Sequence, residues 1–270
     1  MVTVQHGWIK ANGLRLHYLD YGGTGRPIIC THGVTGHAWV WRDVAPHLTD
    51  YGRVIALDFR GYGDSQWSAA KAYTTDDHVE DLGELVNSLT DGEVDLIGLS
   101  WGALVALTFA CQNPNRVRRL AMVDMPPSQE GSETDIPDFS GEFDTPEAVI
   151  EAERGASPFA TDDLIEMLAA VSTRPIEDGR FARKHDPYFL KVWPFRSDDR
   201  WSEARSLDAP TLIAHGEKSY IWSLEEAHDL ADQMKSATVV DIPASLHLIP
   251  TDNPEALARA LVDFLSPETD

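Results

Sequence analysis

The pentapeptide Gly98-Leu99-Ser100-Trp101-Gly102 constrains this chain more than any other feature. It closes an apolar run, Val94-Asp95-Leu96-Ile97-Gly98-Leu99, and opens another over residues 103–110. The first run has the length and aliphatic content of a buried strand, and the second is long enough for a buried helix. A strand that becomes a helix within one residue leaves almost no room beside the turn. Glycine at both flanks answers that crowding, and the central serine is thrust out at the carboxyl edge of the sheet. The next backbone N–H then points at the same space as the Ser100 hydroxyl.

The flanking sequence continues the alternation. Ile28-Ile29-Cys30, Val54-Ile55-Ala56-Leu57 and Leu120-Ala121-Met122-Val123 are short aliphatic runs closed by polar or glycine-containing turns, as in strands buried on both faces. Between two of them Val79, Leu82, Leu85, Val86 and Leu89 recur at helical spacing. Strand alternating with helix predicts an α/β fold, with a mostly parallel sheet of about eight strands flanked by helices. Gly22-Gly23-Thr24-Gly25 reads as an early hairpin-like turn. The alternation stops after Pro126-Pro127. Helical pieces are expected at residues 145–154 and 161–172; strand pattern resumes at 211–215 and 238–242, and an amphipathic helix covers 254–265. The expected organisation is a core domain of residues 1–125 and 206–270, with a helical cap of residues 126–205 inserted after the sixth strand.

Charge narrows the function. The 22 Lys and Arg face 44 acidic residues, a net charge of −22. Such a surface repels phosphate backbones and anionic membrane, so neither nucleic acid nor membrane is an expected partner. No apolar run approaches the ~18–20 residues of a membrane span, and the first residues lack a basic-then-apolar leader pattern, so a cytoplasmic protein is expected. Cys30 and Cys111 have neither a CxxC partner nor metal-like spacing with histidine. They read as buried thiols, and no metal or organic cofactor is expected.

Three more segments sharpen the reading. Thr31-His32-Gly33-Val34 follows a strand, Asp58-Phe59-Arg60-Gly61-Tyr62-Gly63-Asp64-Ser65 follows the next, and Trp41 lies between. Together with the serine motif, these segments resemble the α/β-hydrolase superfamily over essentially the whole chain. The resemblance implies that Ser100 is a nucleophile and that the backbone N–H groups of Val34 and Trp101 hold an oxyanion. It also implies that His32 and the Asp58–Ser65 segment are structural. A serine hydroxyl needs an imidazole to take its proton. His247, in Ala244-Ser245-Leu246-His247, lies where the family places its catalytic histidine, with Leu246 replacing the usual glycine. Of the ten histidines, His6, His17, His47, His78, His185 and His228 read as solvated, while His37 and His215 stay ambiguous.

The acid departs from the commonest pattern. The stretch His215-Gly216-Glu217-Lys218-Ser219 has Ser219 where most relatives carry aspartate. Asp124, at the end of the sixth strand, matches the acid of some relatives: certain dehalogenases, a lactone-hydrolase group and the cofactor-free dioxygenases. Glu217 is the alternative acid, and Asp241 lies within a strand pattern. Trp39, Trp193, Tyr220 and Trp222 are the expected aromatic pocket. The favoured reading is a serine hydrolase of a small apolar or aromatic ester or lactone, acting as a monomer or homodimer. A carbon–carbon bond hydrolase, a cofactor-free dioxygenase and a ligand receptor are the alternatives.

Overall fold

An Asn-Gly pair sets the first turn. Strands β1 (Gln5–Ala11) and β2 (Leu14–Gly22) pair antiparallel, with Ala11 opposite Leu14. Asn12 and Gly13 between them have φ of 48° and 82°, the type I′ geometry that matches strand twist. A computed structural model describes residues 4–128 and 141–266. Residues 1–3, the start of the segment read for a leader, and residues 129–140 of the expected cap lie outside the described residues.

The chain continues through β3 (Pro27–Thr31), β4 (Arg53–Leu57), helix α1 (Thr75–Leu89), β5 (Val94–Leu99), α2 (Trp101–Gln112) and β6 (Val117–Val123). Next come β7 (Glu142–Phe143), α3 (Pro146–Ala156), α4 (Asp162–Ser172), β8 (Thr173–Pro175), β9 (Phe181–Arg183) and α5 (Trp201–Ser206). The last elements are β10 (Thr211–Gly216), α6 (Leu224–Gln233), β11 (Ala237–Ile242), α7 (Ile249–Asp252) and α8 (Pro254–Leu265).

Eight strands form one sheet in the order β1-β2-β4-β3-β5-β6-β10-β11. From β4 to β11 every neighbouring pair is parallel, and β2 joins β4 antiparallel. The Gly22–Gly25 turn is therefore no hairpin: β2 and β3 are separated by β4 in the sheet, so the turn carries the chain past a strand. Every residue of β3 and β5 is buried, because helices cover both faces. One face packs α1, α2 and α6 around Leu82, Leu104 and Leu230; the other packs α8 and two 3₁₀ turns around Trp41, Leu48 and Leu261.

Between β6 and β10, α3 and α4 fall where helical pieces were expected. The same stretch also holds a three-stranded antiparallel sheet, β7-β9-β8, which the sequence reading lacks. Its strands run two or three residues, too short for any periodicity. Phe189 and Phe195 enter the main core against Trp101. Asp186 ties the segment down, accepting from Lys71 Nζ at 2.5 Å and Tyr73 OH at 2.7 Å, while its N–H donates to the Gly61 carbonyl.

Three histidines expected in solvent are instead buried: His17, His78 and His185. His17 is on the inward face of β2 beside Asp58, His78 packs between Phe59 and Trp101, and His185 lies near Tyr62. Burial holds His78 at a pKa of about 3 and His185 at about 4. Cys30 is buried as expected; Cys111 is only partly so, and its thiol donates to the Glu203 carbonyl. No helix among the described residues is long and apolar enough to cross a membrane.

Candidate active site

Ser100 sits between β5 and α2 with φ 52° and ψ −128°, a conformation that costs an L-residue energy and is found where packing over-determines it. The packing is visible at its flanking glycines. A Cβ on Gly98 would lie 2.4 Å from the Gly102 carbonyl oxygen; one on Gly102 would lie 2.7 Å from that of His32. The turn brings strand, helix and the loop after β3 into backbone contact, which only hydrogen at those two positions permits. Ser100 is 4% exposed.

The Ser100 hydroxyl meets His247 Nε2 at 2.9 Å. His247 Nδ1 lies 2.8 Å from Asp124 Oδ2. A carboxylate only accepts, so Nδ1 carries the proton and Nε2 is left to accept from Ser100. His247 is on the loop between β11 and α7. The loop is clamped by Asp252, which accepts the Leu246 N–H at 2.9 Å and the Phe159 N–H at 3.3 Å.

Asp124 follows β6 with φ 52° and is wholly buried. Its two oxygens receive four donors. Oδ1 accepts Gly216 N–H and the Trp222 indole N–H, both at 3.2 Å. Oδ2 accepts the Ser219 hydroxyl at 2.7 Å as well as His247. Ser219 in turn accepts the Ile221 N–H at 3.1 Å. Donors on every side offset the cost of burying this carboxyl group away from water. Glu217 is not brought to the histidine: it is exposed, and its Oε2 accepts the Ala244 N–H at 2.7 Å.

The loop after β3 passes directly over Ser100, since a Cβ on Gly33 would lie 2.7 Å from Ser100 Cβ. His32 shapes it, donating Nδ1–H to the Gly33 carbonyl at 2.7 Å and accepting Phe59 N–H on Nε2 at 3.1 Å. Burial lowers its pKa to about 4, so the ring stays neutral and both bonds hold. A 3.1 Å bond from Gly36 N–H to the Gly33 carbonyl closes the turn that contains Val34. Trp101 opens α2, so its N–H has no carbonyl partner within the helix. Its indole is buried on the far side, donating to Thr75 Oγ1 at 2.8 Å.

The four aromatic residues expected as pocket walls separate into different tasks. Tyr220 is 66% exposed, with its ring 5.8 Å from the His247 ring, at the site's edge. Trp222 is buried and spends its N–H on Asp124. Trp193 donates to the Phe189 carbonyl at 3.0 Å and stacks on Phe195. Trp39 is half-buried and packs against both the core and the α4 cluster of Leu164, Ile165 and Leu168.

The sequence model for the alpha/beta hydrolase fold matches residues 26–254. The chain belongs to the alpha/beta hydrolase fold family. This alpha/beta hydrolase is 28% identical to the 2-hydroxy-6-oxo-2,4-heptadienoate hydrolase of Pseudomonas putida, over 96% of each chain. It is 29% identical to the 2-hydroxymuconate semialdehyde hydrolase of Pseudomonas sp. strain CF600, over 96% of this chain and 93% of that one. Among solved structures, E-2-(acetamidomethylene)succinate hydrolase superposes with a TM-score of 0.87 at 25% identity, covering 97% of this chain and 99% of that one.

Sequence reasoning about this alpha/beta hydrolase missed the donors to Asp124. Ser219 was visible only as a departure from the usual acid, and nothing in Ser219-Tyr220-Ile221-Trp222 announces that two of the four side chains turn back to one carboxylate. The signal available was the pairing of a lost acid with a polar residue of hydrogen-bonding size at the same place.

Proposed function

We propose that this protein is a serine hydrolase that cleaves a small carbonyl compound with an apolar portion, an ester or lactone, through an acyl-enzyme. The observation that carries the reading is the unbroken hydrogen-bond chain from Ser100 Oγ through His247 to Asp124 Oδ2. Ser100 Oγ attacks the carbonyl carbon as His247 Nε2 takes the hydroxyl proton, and the C=O electron pair moves onto oxygen. The Val34 and Trp101 N–H groups stabilise that oxyanion. Collapse of the adduct expels the alcohol, which receives the proton from His247. Water then adds to the acyl-enzyme with His247 again as base, freeing the acid and Ser100. Asp124 keeps the imidazole in the required tautomer and balances its charge.

The described residues of the 126–205 segment act as a cap that covers Ser100 and limits substrate size. The low exposure of Ser100 and the packing of Trp39 against α4 support this role.

A second reading is carbon–carbon bond hydrolysis, favoured by the two relatives aligned along nearly the full chain. A 2-hydroxy-6-oxo-dienoate has no ester or amide link, so its hydrolysis breaks a carbon–carbon bond beside the ketone. The dienol first ketonises, its 2-hydroxyl losing a proton and C5 gaining one. The same serine, histidine and oxyanion groups then serve attack on the C6 ketone, and the electrons of the broken C5–C6 bond pass into the conjugated 2-keto acid. Steady-state hydrolysis of aryl esters, lactones and a 2-hydroxy-6-oxo-dienoate, with Ser100→Ala alongside, separates the two. Ester or lactone turnover lost in the variant supports the first reading, and preference for the dienoate supports the second. Turnover of none of them by the wild type, or turnover that survives Ser100→Ala, overturns both.

A further inference from the structure

We propose that His6, His17 and Asp64 form a binding site for a divalent transition-metal ion of the zinc class, separate from the Ser100–His247–Asp124 chain. Each side chain contributes one ligand atom, and these atoms lie within 4.8 Å of one another. His6 is on β1, His17 lies diagonally across the hairpin on β2, where its direct partner is Trp8, and Asp64 comes from the loop after β4.

The histidine pair is the centre of the argument. His6 Nδ1 and His17 Nε2 lie 2.8 Å apart, a separation at which two imidazole nitrogens share a proton. His17 Nδ1 is 2.7 Å from Asp58 Oδ2, so that nitrogen carries the ring proton and Nε2 presents a bare lone pair toward His6. A carboxylate behind a histidine is the usual support of a metal ligand: it fixes the tautomer and raises the basicity of the other nitrogen. Asp58 is itself immobilised, accepting Ala38 N–H at 2.6 Å and Asp64 N–H at 3.0 Å. The second bond also fixes where Asp64 stands.

Access and donor set agree. His17 is fully buried, whereas His6 and Asp64 are exposed, so an ion enters from the solvent side and a water completes its coordination. Two imidazole nitrogens and one carboxylate oxygen suit zinc, and cobalt, nickel or copper as substitutes. Zinc–nitrogen bonds of about 2.0–2.1 Å in tetrahedral geometry set the nitrogens about 3.3 Å apart, so the exposed His6 ring moves outward by about half an ångström. In the ion-free state His6 donates Nδ1–H to His17; on binding that proton passes to Nε2, and the ring stays neutral. Lys184 Nζ pairs with Asp64 Oδ1 at 2.7 Å, and the carboxylate has a second oxygen to offer. Trp8 and Trp39 flank the site, their rings 6.1 Å and 5.9 Å from that of His6, and they report its occupancy.

The test uses untagged full-length protein titrated with cobalt(II), read by visible absorption and tryptophan quenching, followed by displacement with zinc(II). The expected result is one ion per chain, displaced by zinc. Binding weakens at least about tenfold in His6→Ala and in Asp64→Asn, and is unchanged in His47→Ala, which removes an exposed histidine elsewhere. His6 and Asp64 are exposed, and thermal melts check that both variants stay folded. Absence of stoichiometric binding, or equal binding by wild type and folded His6→Ala, overturns the proposal.

Discussion

The Ser219 hydroxyl donates to Asp124 Oδ2 at 2.7 Å, the same oxygen that accepts His247 Nδ1–H. The two residues reach each other because β6 and β10 are neighbours, with Asp124 N–H donating to the Ala214 carbonyl at 2.8 Å. Two adjacent strand ends therefore meet at one carboxylate, which in turn holds His247. The later end supplies a hydroxyl that holds the carboxylate of the earlier end.

From that relationship follows an ordering of variants. Asp124→Asn is expected to lower kcat by on the order of 10³–10⁴, since an amide supports the wrong imidazole tautomer. Ser219→Ala removes one of four donors and costs about tenfold or less. Glu217→Gln, whose carboxylate accepts the Ala244 N–H at the surface, stays within about twofold. Steady-state kinetics on the best substrate of the panel measures all three. Equal kcat for Asp124→Asn and wild type would remove Asp124 from the mechanism.

Glycine replacements separate crowding from chain entropy. Gly102→Ala sets a Cβ 2.7 Å from the His32 oxygen and 2.8 Å from that of Thr31. Backbone cannot swing aside as a side chain does, so a loss of about 1–3 kcal/mol or more is expected, together with most of the activity. Gly155→Ala in α3 meets nothing within 4 Å and is expected to stabilise by about 0.5–1 kcal/mol. Paired thermal melts check the opposite signs; a Tm for Gly102→Ala at or above wild type contradicts the contact.

Stability should fall on mild acidification. Burial lowers the pKa of His32 and His185 to about 4 and of His78 to about 3, against 6.5 in an open chain. Below pH 6.5 the unfolded chain takes up protons at these rings and the folded protein does not, so protonation favours unfolding. The stability these neutral rings protect is complete above pH 6.5 and is lost as pH falls toward 4. Each ring contributes a slope of about 1.4 kcal/mol per pH unit within that window. Chemical denaturation at intervals from pH 7.5 to about pH 4.5 measures it, and a flat profile contradicts the burial of these three histidines.

Much of the frame was legible in the sequence. The aliphatic runs and the Gly98–Gly102 elbow specify a parallel sheet with Ser100 at its edge, and Asp124 and His247 stand at ends of strand patterns on the same side. Contacts made across the fold were not legible. His17 and His78 have polar names at positions whose burial comes from Asp58, Phe59 and Trp101, residues distant in sequence. Trp222 looked like a pocket wall because aromatic character is visible in sequence and the direction of an indole N–H is not. The β7-β9-β8 sheet was missed because strands of two or three residues carry no pattern to read.

The most direct test of the central claim is covalent labelling by a fluorophosphonate, with the site mapped by peptide mass spectrometry. The expected result is one adduct per chain, on Ser100, absent in Ser100→Ala and strongly slowed in His247→Ala. No adduct, or an adduct on another residue that persists in Ser100→Ala, would contradict Ser100 as the nucleophile.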